Sequence, residues 1–152
     1  MTHTLTIRRL ALGDYALFDA MLDLFGTAFD DPGTYGDARP GPAWRARLLG
    51  MDTFTALVAM DGPEVVGALA GYELVKFEQE RSEFYIYDLA VAETHRRRGI
   101  ATALIGTFGR LAKARGGWVV FVQADYDDPP AIALYDKLGT REEVLHFDIA
   151  PD

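Results

Sequence analysis

Apolar residues recur along the chain at two spacings, and the switches between them divide it into elements. Residues 4–9 alternate and predict a first strand. After Gly13-Asp14 the spacing becomes helical, with an apolar face of Phe18, Met21, Leu22, Phe25 and Phe29 and Asp14 as the expected N-cap. Asp30-Asp31-Pro32-Gly33 breaks this helix, and a turn-rich loop runs through Gly36, Pro40, Gly41 and Pro42. Loops of that length in compact domains are often functional. A short helix over 44–49 precedes a hairpin, strands 53–60 and 65–74, that turns at Asp61-Gly62.

A polar connection, residues 76–82, leads into the β-branched and aromatic run 85–91, and a helix opens at Ile100 with Ala101, Leu104, Ile105, Phe108, Leu111 and Ala112 on its apolar face. Gly116-Gly117 stops it. The apolar strand 118–123 is expected to be central and buried on both faces. Residues 125–129 form a turn into a helix over 131–138, which ends at Gly139, and 140–149 reads as the last strand. The order β, α, α, β, β, β, α, β, α, β predicts a single α/β domain over residues 1–152 with a mixed sheet. Its antiparallel part comes from hairpins and its parallel part from the helix crossover.

Composition narrows the function classes. With 152 residues there is room for one well-buried core, and 49% hydrophobic with 25% charged residues is the balance of a globular protein. No apolar run reaches membrane-spanning length and no signal peptide is visible, so the expected location is the cytoplasm. There is no cysteine, which removes disulfides, thiolate metal sites and an acyl-cysteine route. His3, His95 and His146 lack ligand spacing, and no metal is expected. The net charge of −8 is unevenly placed: residues 95–124 hold six Lys/Arg and no acid, whereas residues 125–152 hold eight Asp/Glu and two Lys/Arg. A basic stretch suits an anionic cofactor and an acidic stretch a cationic substrate, and an acidic chain of this kind does not suit nucleic acid.

The junction between the 85–91 strand and the following helix is the candidate anion site. Arg96, Arg97, Arg98 and Gly99 stand directly before Ile100, where the first helix amides lack carbonyl partners and glycine admits a close ligand. Tandem amides of such a turn can form an anion-binding nest, and a diphosphate fits there. Arg96-x-x-Gly99-x-Ala101 resembles the Gln/Arg-x-x-Gly-x-Gly/Ala signature of the GCN5-related N-acetyltransferase (GNAT) superfamily. The resemblance implies a GNAT fold, a mixed and splayed central sheet flanked by helices, with acetyl-coenzyme A as cosubstrate. It also implies cofactor contacts from Leu89, Ala90 and Val91, from Arg96, Arg97, Arg98, Gly99, Ile100, Ala101 and Thr102, and from Asp128, Ala131 and Tyr135. The last three lie in a segment, 128–139, similar to the superfamily's Asn-x-x-Ala-x-x-Leu-Tyr-x-Lys-Leu-Gly-Phe. Asp128 stands there for Asn and Thr140 for the aromatic residue.

The implied reaction is direct acetyl transfer to an amine. Asp88 interrupts an otherwise apolar strand, which is costly unless its carboxylate is paired or set at a bulge facing a cleft, and it is the candidate for orienting and deprotonating the amine. By resemblance, the Tyr135 hydroxyl protonates the leaving thiolate, and backbone at Leu89 and Val91 binds the thioester. Segments spread over nearly the whole chain, among them 85–91, 99–105, 122–126 and 146–149, resemble the class I aminoglycoside 3-N-acetyltransferases, which inactivate gentamicin-type antibiotics and suggest a homodimer. The likeness is weakest between Pro32 and Asp52. For a polycationic aminoglycoside, the candidate substrate carboxylates are Asp30, Asp31, Asp88, Asp125, Asp127, Glu142, Glu143 and Asp148. Two other readings are acetylation of another polyamine or a protein amine, and a non-catalytic coenzyme-binding module.

Overall fold

The computed structural model describes residues 4–152. Five strands form one sheet in the order β1 (Leu5–Arg9), β2 (Phe54–Asp61), β3 (Glu64–Val75), β4 (Ser82–Val91) and β5 (Gly117–Val122). Neighbours from β1 to β4 are antiparallel. The pairing of β4 with β5 is parallel, joined by the crossover helix α3 (Ile100–Ala114). The remaining helices are α1 (Tyr15–Ala28), α2 (Pro42–Gly50) and α4 (Pro129–Leu138). The alternation predicted from sequence therefore builds a mixed open sheet flanked by helices. No helix among the described residues is long and apolar enough to cross a membrane.

The period of two in β2 feeds two cores. Phe54, Ala56 and Val58 pack with Phe18, Met21 and Phe25 of α1, while Leu57 and Ala59 pack on the opposite face with Leu104 and Phe108 of α3. Two glycines of β3 set how closely α3 approaches. A Cβ on Gly67 would lie 2.8 Å from Ile100 Cγ2, and one on Gly71 would lie 2.5 Å from Phe108 Cζ and 2.9 Å from the Tyr85 carbonyl. Gly71→Ala must therefore displace a fully buried ring and adjacent backbone. We expect it to destabilise the fold by about 1–3 kcal/mol, the usual cost of overpacking, read as a lower denaturation midpoint in urea.

Four local expectations are corrected. Asp61 pairs with Glu64, so the hairpin turns at Gly62-Pro63, with Gly62 at φ 58, one residue later than Asp61-Gly62. Asp14 occupies the N-cap position of α1 without capping it, because its carboxylate accepts from Ala11 N–H and pairs with Arg8 instead. β5 is an edge strand, half-buried, with Trp118 55% exposed, and is not a central strand covered on both faces. The reason is the fourth correction: residues 140–149 form no strand and are exposed throughout, so no strand among the described residues lies beyond β5.

Candidate functional site

The site begins with a fault in the ladder between β3 and β4. Ala70 faces Asp88 and Gly71 faces Ile86, so Tyr87 is an extra residue on β4. Before this bulge, Phe84 and Ile86 pack toward α3; after it, Ala90 packs with the α1 cluster. One inserted residue thus reverses the parity of the strand and carries Asp88 to the α1 side. Had the alternation continued, its carboxylate would point into the core under α3.

Tyr35 meets Asp88 there. Its hydroxyl donates to Asp88 Oδ2 at 2.8 Å, and its ring lies against Phe25 and Phe29. Sequence reasoning missed this residue. It sits on a single π-helical turn, Gly33–Asp37, inside the turn-rich loop, where neither spacing nor resemblance marks a particular position. Ion pairs fasten the loop to α1: Arg45 reaches both oxygens of Asp19 at 2.8 and 3.1 Å, and Arg39 pairs with Asp19 and Asp23 while donating to the Tyr35 carbonyl. Asp31, whose Oδ1 accepts from Thr34 N–H, lies at the root of this turn.

A cluster of aromatic rings lies along β3, β4 and β5 next to Asp88 in the strand order. Tyr87 meets Tyr72 and Tyr85 edge-on, and Tyr85 stacks on Phe121 of β5 with centroids 4.6 Å apart. Burial raises the Asp88 pKa above the ordinary aspartate value, and the hydrogen bond from Tyr35 offsets part of that rise. Burial, with the adjacent Asp88 charge, also raises the Tyr35 hydroxyl, which stays protonated as the donor. Removing that donor should be measurable. Tyr35→Phe is expected to lower kcat/KM about tenfold, the equivalent of about 1.4 kcal/mol. It should also move the acid limb of the pH–rate profile upward, because the bond that holds the Asp88 pKa down is gone; a pH series of initial rates checks both.

The second half of the site lies where β4 and β5 part. Their pairing ends at Ile86 with Val122, so from Tyr87 to Val91 the edge of β4 facing β5 has no strand partner. Past Val91, a short 3₁₀ turn at Glu93–His95 is tied to the β2–β3 hairpin by His95 Nε2 at 2.9 Å from Asp61. Arg97 and Gly99 then take positive φ, 63° and 76°, and the first hydrogen bond of α3 runs from Ala103 N–H to the Gly99 carbonyl. The amides of Ile100, Ala101 and Thr102 thus have no partner within the helix. A Cβ on Gly99 would meet nothing within 4 Å, so this turn opens outward. Arg96 folds back toward the Val91 carbonyl, and Arg97 and Arg98 are exposed. Free amides, an open glycine and a parted strand edge fit a diphosphate followed by an extended thioester arm.

The other candidates are spread more widely. On α4, Asp128 caps the helix by accepting from Ala131 N–H, and the half-buried Tyr135 hydroxyl has its pKa raised by burial and then by Asp128. Asp30, at φ 50, adjoins Asp31 at the end of α1. Asp125 and Asp127 stand on the exposed turn after β5, and Glu142, Glu143 and Asp148 on the exposed segment after α4. Among the described residues no hydrogen bond joins any of these acids to Asp88, and no group of three or more His, Asp or Glu is placed to hold a metal ion.

Comparison with known proteins agrees with this geometry. The acetyltransferase (GNAT) family pattern matches residues 18–140. An aminoglycoside acetyltransferase from an uncultured soil metagenomic sample is 58% identical, covering 98% of this chain and 99% of that one, with a TM-score of 0.95. A second from the same kind of source, solved in complex with sisomicin, is 31% identical over 97% of both chains with a TM-score of 0.89. Among curated relatives, the probable N-acetyltransferase family 8 member 5 of Mus musculus is 32% identical over 93 residues, 61% of this chain and 41% of that protein. The chain spans less than half the length of the curated relatives it matches. With the family pattern covering most of its length, and with a site that opens at the parting of two parallel strands, the chain belongs to the acetyltransferase (GNAT) family.

Proposed function

We propose that this protein transfers the acetyl group of acetyl-coenzyme A to an amine of an aminoglycoside, the 3-amino group of a gentamicin-type antibiotic. The observation that carries the reading is the carboxylate of Asp88, turned by a bulge into a ring-lined site next to the parted edge of β4. The likeness to two aminoglycoside acetyltransferases over nearly the whole chain supports it. When bound, acetyl-coenzyme A supplies an activated acyl carbon with a thiolate leaving group.

The chain's residues would divide the work. Free amides at Gly99, Ile100, Ala101 and Thr102, with the positive end of α3 and the Arg96–Arg98 charges, hold the diphosphate. Backbone of Leu89, Ala90 and Val91 on the open edge of β4 would hold the acyl arm, with an amide there available to polarise the thioester carbonyl. Asp88 holds the substrate ammonium by charge, assisted by the tyrosine faces, and takes its proton directly or through water, freeing the lone pair for attack on the acyl carbon. Tyr135, whose pKa is raised by burial and then by Asp128, would hold its hydroxyl proton at working pH and would supply it to the leaving thiolate. Asp30 and Asp31, beside the Tyr35 loop, would attract the remaining ammonium groups. Asp125, Asp127, Glu142, Glu143 and Asp148 would add a longer-range acidic field.

The test is coenzyme A release from acetyl-coenzyme A with gentamicin, sisomicin, spermidine and a lysine peptide in parallel. Turnover with the antibiotics far above the polyamine and the peptide is expected, and product NMR should place the new amide at the 3-amino nitrogen. No turnover with any aminoglycoside would remove the proposal.

A further inference from the structure

Residues 96–99, the turn between β4 and α3, are shaped from their two ends. Among the described residues the amides of Arg97, Arg98 and Gly99 donate no backbone hydrogen bond, and that of Arg96 reaches the Glu93 carbonyl only at 3.5 Å. Arg97 and Gly99 both take positive φ, and Arg97 does so at 63° without the freedom of a glycine. A turn with no bonds of its own and a side chain in the left-handed region keeps that form only where its flanks hold it.

Both flanks rest on the β2–β3 hairpin. At the exit, buried Ile100 packs over Gly67, where a Cβ would lie 2.8 Å from its Cγ2. That contact is apolar and sets only how near α3 comes. At the entrance, the Ala92 amide donates to the Val66 carbonyl at 2.8 Å, and three residues later His95 reaches Asp61. A carboxylate only accepts, so His95 Nε2–H is the donor, at 2.9 Å, while Nδ1 lies 2.8 Å from the Thr94 hydroxyl. That hydroxyl donates to a bare Nδ1 or accepts from Nδ1–H, so imidazole and imidazolium make the bond to Asp61 alike.

Asp61 is a fixed point, since it pairs with Leu5 of β1 on one side and Glu64 of β3 on the other. The His95 side chain is 11% exposed although Thr94 and Arg96 beside it are exposed, so this bond is shielded from water. The next side-chain bond along the chain, Arg96 Nε to the Val91 carbonyl, is 3.4 Å long and lies in solvent.

We propose, on the reading of this turn as the diphosphate site, that His95 is a positioning residue for the coenzyme. Its bond to Asp61 holds the entrance of the turn, so that Arg97 stays left-handed and the amides of Ile100, Ala101 and Thr102 are set before the ligand arrives. Ordering done in advance is not charged against binding. Among the described residues the His95 side chain bonds only to Thr94 and Asp61, and Asp88 with Tyr35 stands on other elements. The effect is therefore confined to the coenzyme half of the site.

Titration calorimetry with coenzyme A tests this without any acceptor. His95→Leu removes the donor and should raise the dissociation constant about tenfold, with circular dichroism unchanged. His95→Gln carries an N–H to about the place of Nε2 and should bind within about threefold of wild type, whereas His95→Asn, one methylene shorter, should bind as weakly as His95→Leu. Should His95→Leu not fold, the Gln and Asn variants carry the same comparison. With sisomicin as acceptor, the KM for acetyl-coenzyme A should rise while kcat and the sisomicin KM stay within about twofold; a general loosening of the fold would lower kcat as well. Gly99→Val, titrated alongside, separates the two readings. Normal affinity in His95→Leu and His95→Asn with weak binding in Gly99→Val overturns the role of His95 and leaves the diphosphate at the turn. Normal affinity in all three removes both. Equal loss in His95→Gln and His95→Leu also overturns the proposal, because the donor bond would then not be what matters.

Discussion

Asp88→Asn is expected to lower kcat/KM for aminoglycoside acetylation by about 100-fold or more, within the range of about 10²–10⁴ that a positioned acid or base contributes. The amide keeps the shape of the carboxylate and can still accept from Tyr35, so binding of acetyl-coenzyme A should change little. What disappears is the charge that holds the ammonium and the site that takes its proton. Stability should move the other way. The folded-state pKa of Asp88 is raised, so its ionisation opposes folding: stability is fully present below the ordinary carboxylate pKa and is lost as pH rises through the raised value. At neutral pH, Asp88→Asn should therefore be as stable as the wild type or more so. The wild-type rate should fall on acidification through that same raised pKa, and the variant should lack this limb. Initial rates across pH, with thermal melts of both proteins, check the pair of outcomes. Activity within a few-fold of wild type would remove Asp88 from the mechanism.

Gly99→Val is expected to raise the dissociation constant for acetyl-coenzyme A at least about tenfold, or about 1.4 kcal/mol, with Arg96, Arg97 and Arg98 all intact. No neighbouring atom opposes a side chain there, so the effect does not come from a clash inside the protein. It comes from φ 76, a conformation that costs an ordinary residue about 1–2 kcal/mol and a β-branched one more. The turn would relax toward negative φ and take the amides of Ile100 and Ala101 out of alignment. The valine would also occupy the space through which a diphosphate reaches those amides. Titration calorimetry with coenzyme A measures the loss, and Gly99→Ala should fall between the two. Unchanged affinity would mean that the diphosphate is held elsewhere.

These predictions differ in how far the sequence led to them. The left-handed turn at Gly99 was readable because one residue type, one helix start and one flanking strand coincide there. Asp88 was readable as a carboxylate out of place in an apolar strand. Tyr35 was not, because its role depends on a bulge 52 residues later that swings Asp88 toward it and on the Asp19, Asp23, Arg39 and Arg45 pairs that fasten its loop. No local pattern contains both ends of such a contact. The prediction that β5 is central rested on its unbroken apolar character, which describes equally well a strand covered on both faces and a half-buried strand at the edge of a sheet.

The sequence by itself determined the four α-helices, the first five strands and where a helix start with unpartnered amides follows a strand, because these depend on side-chain period and on glycine's conformational range within a few residues. Tertiary structure alone decided which face of β4 carries Asp88, what hydrogen-bonds it, and that residues 140–149 stand away from the sheet. Each of these is settled by pairing register and by contacts between residues far apart in the chain, whose energies no local stretch of sequence contains.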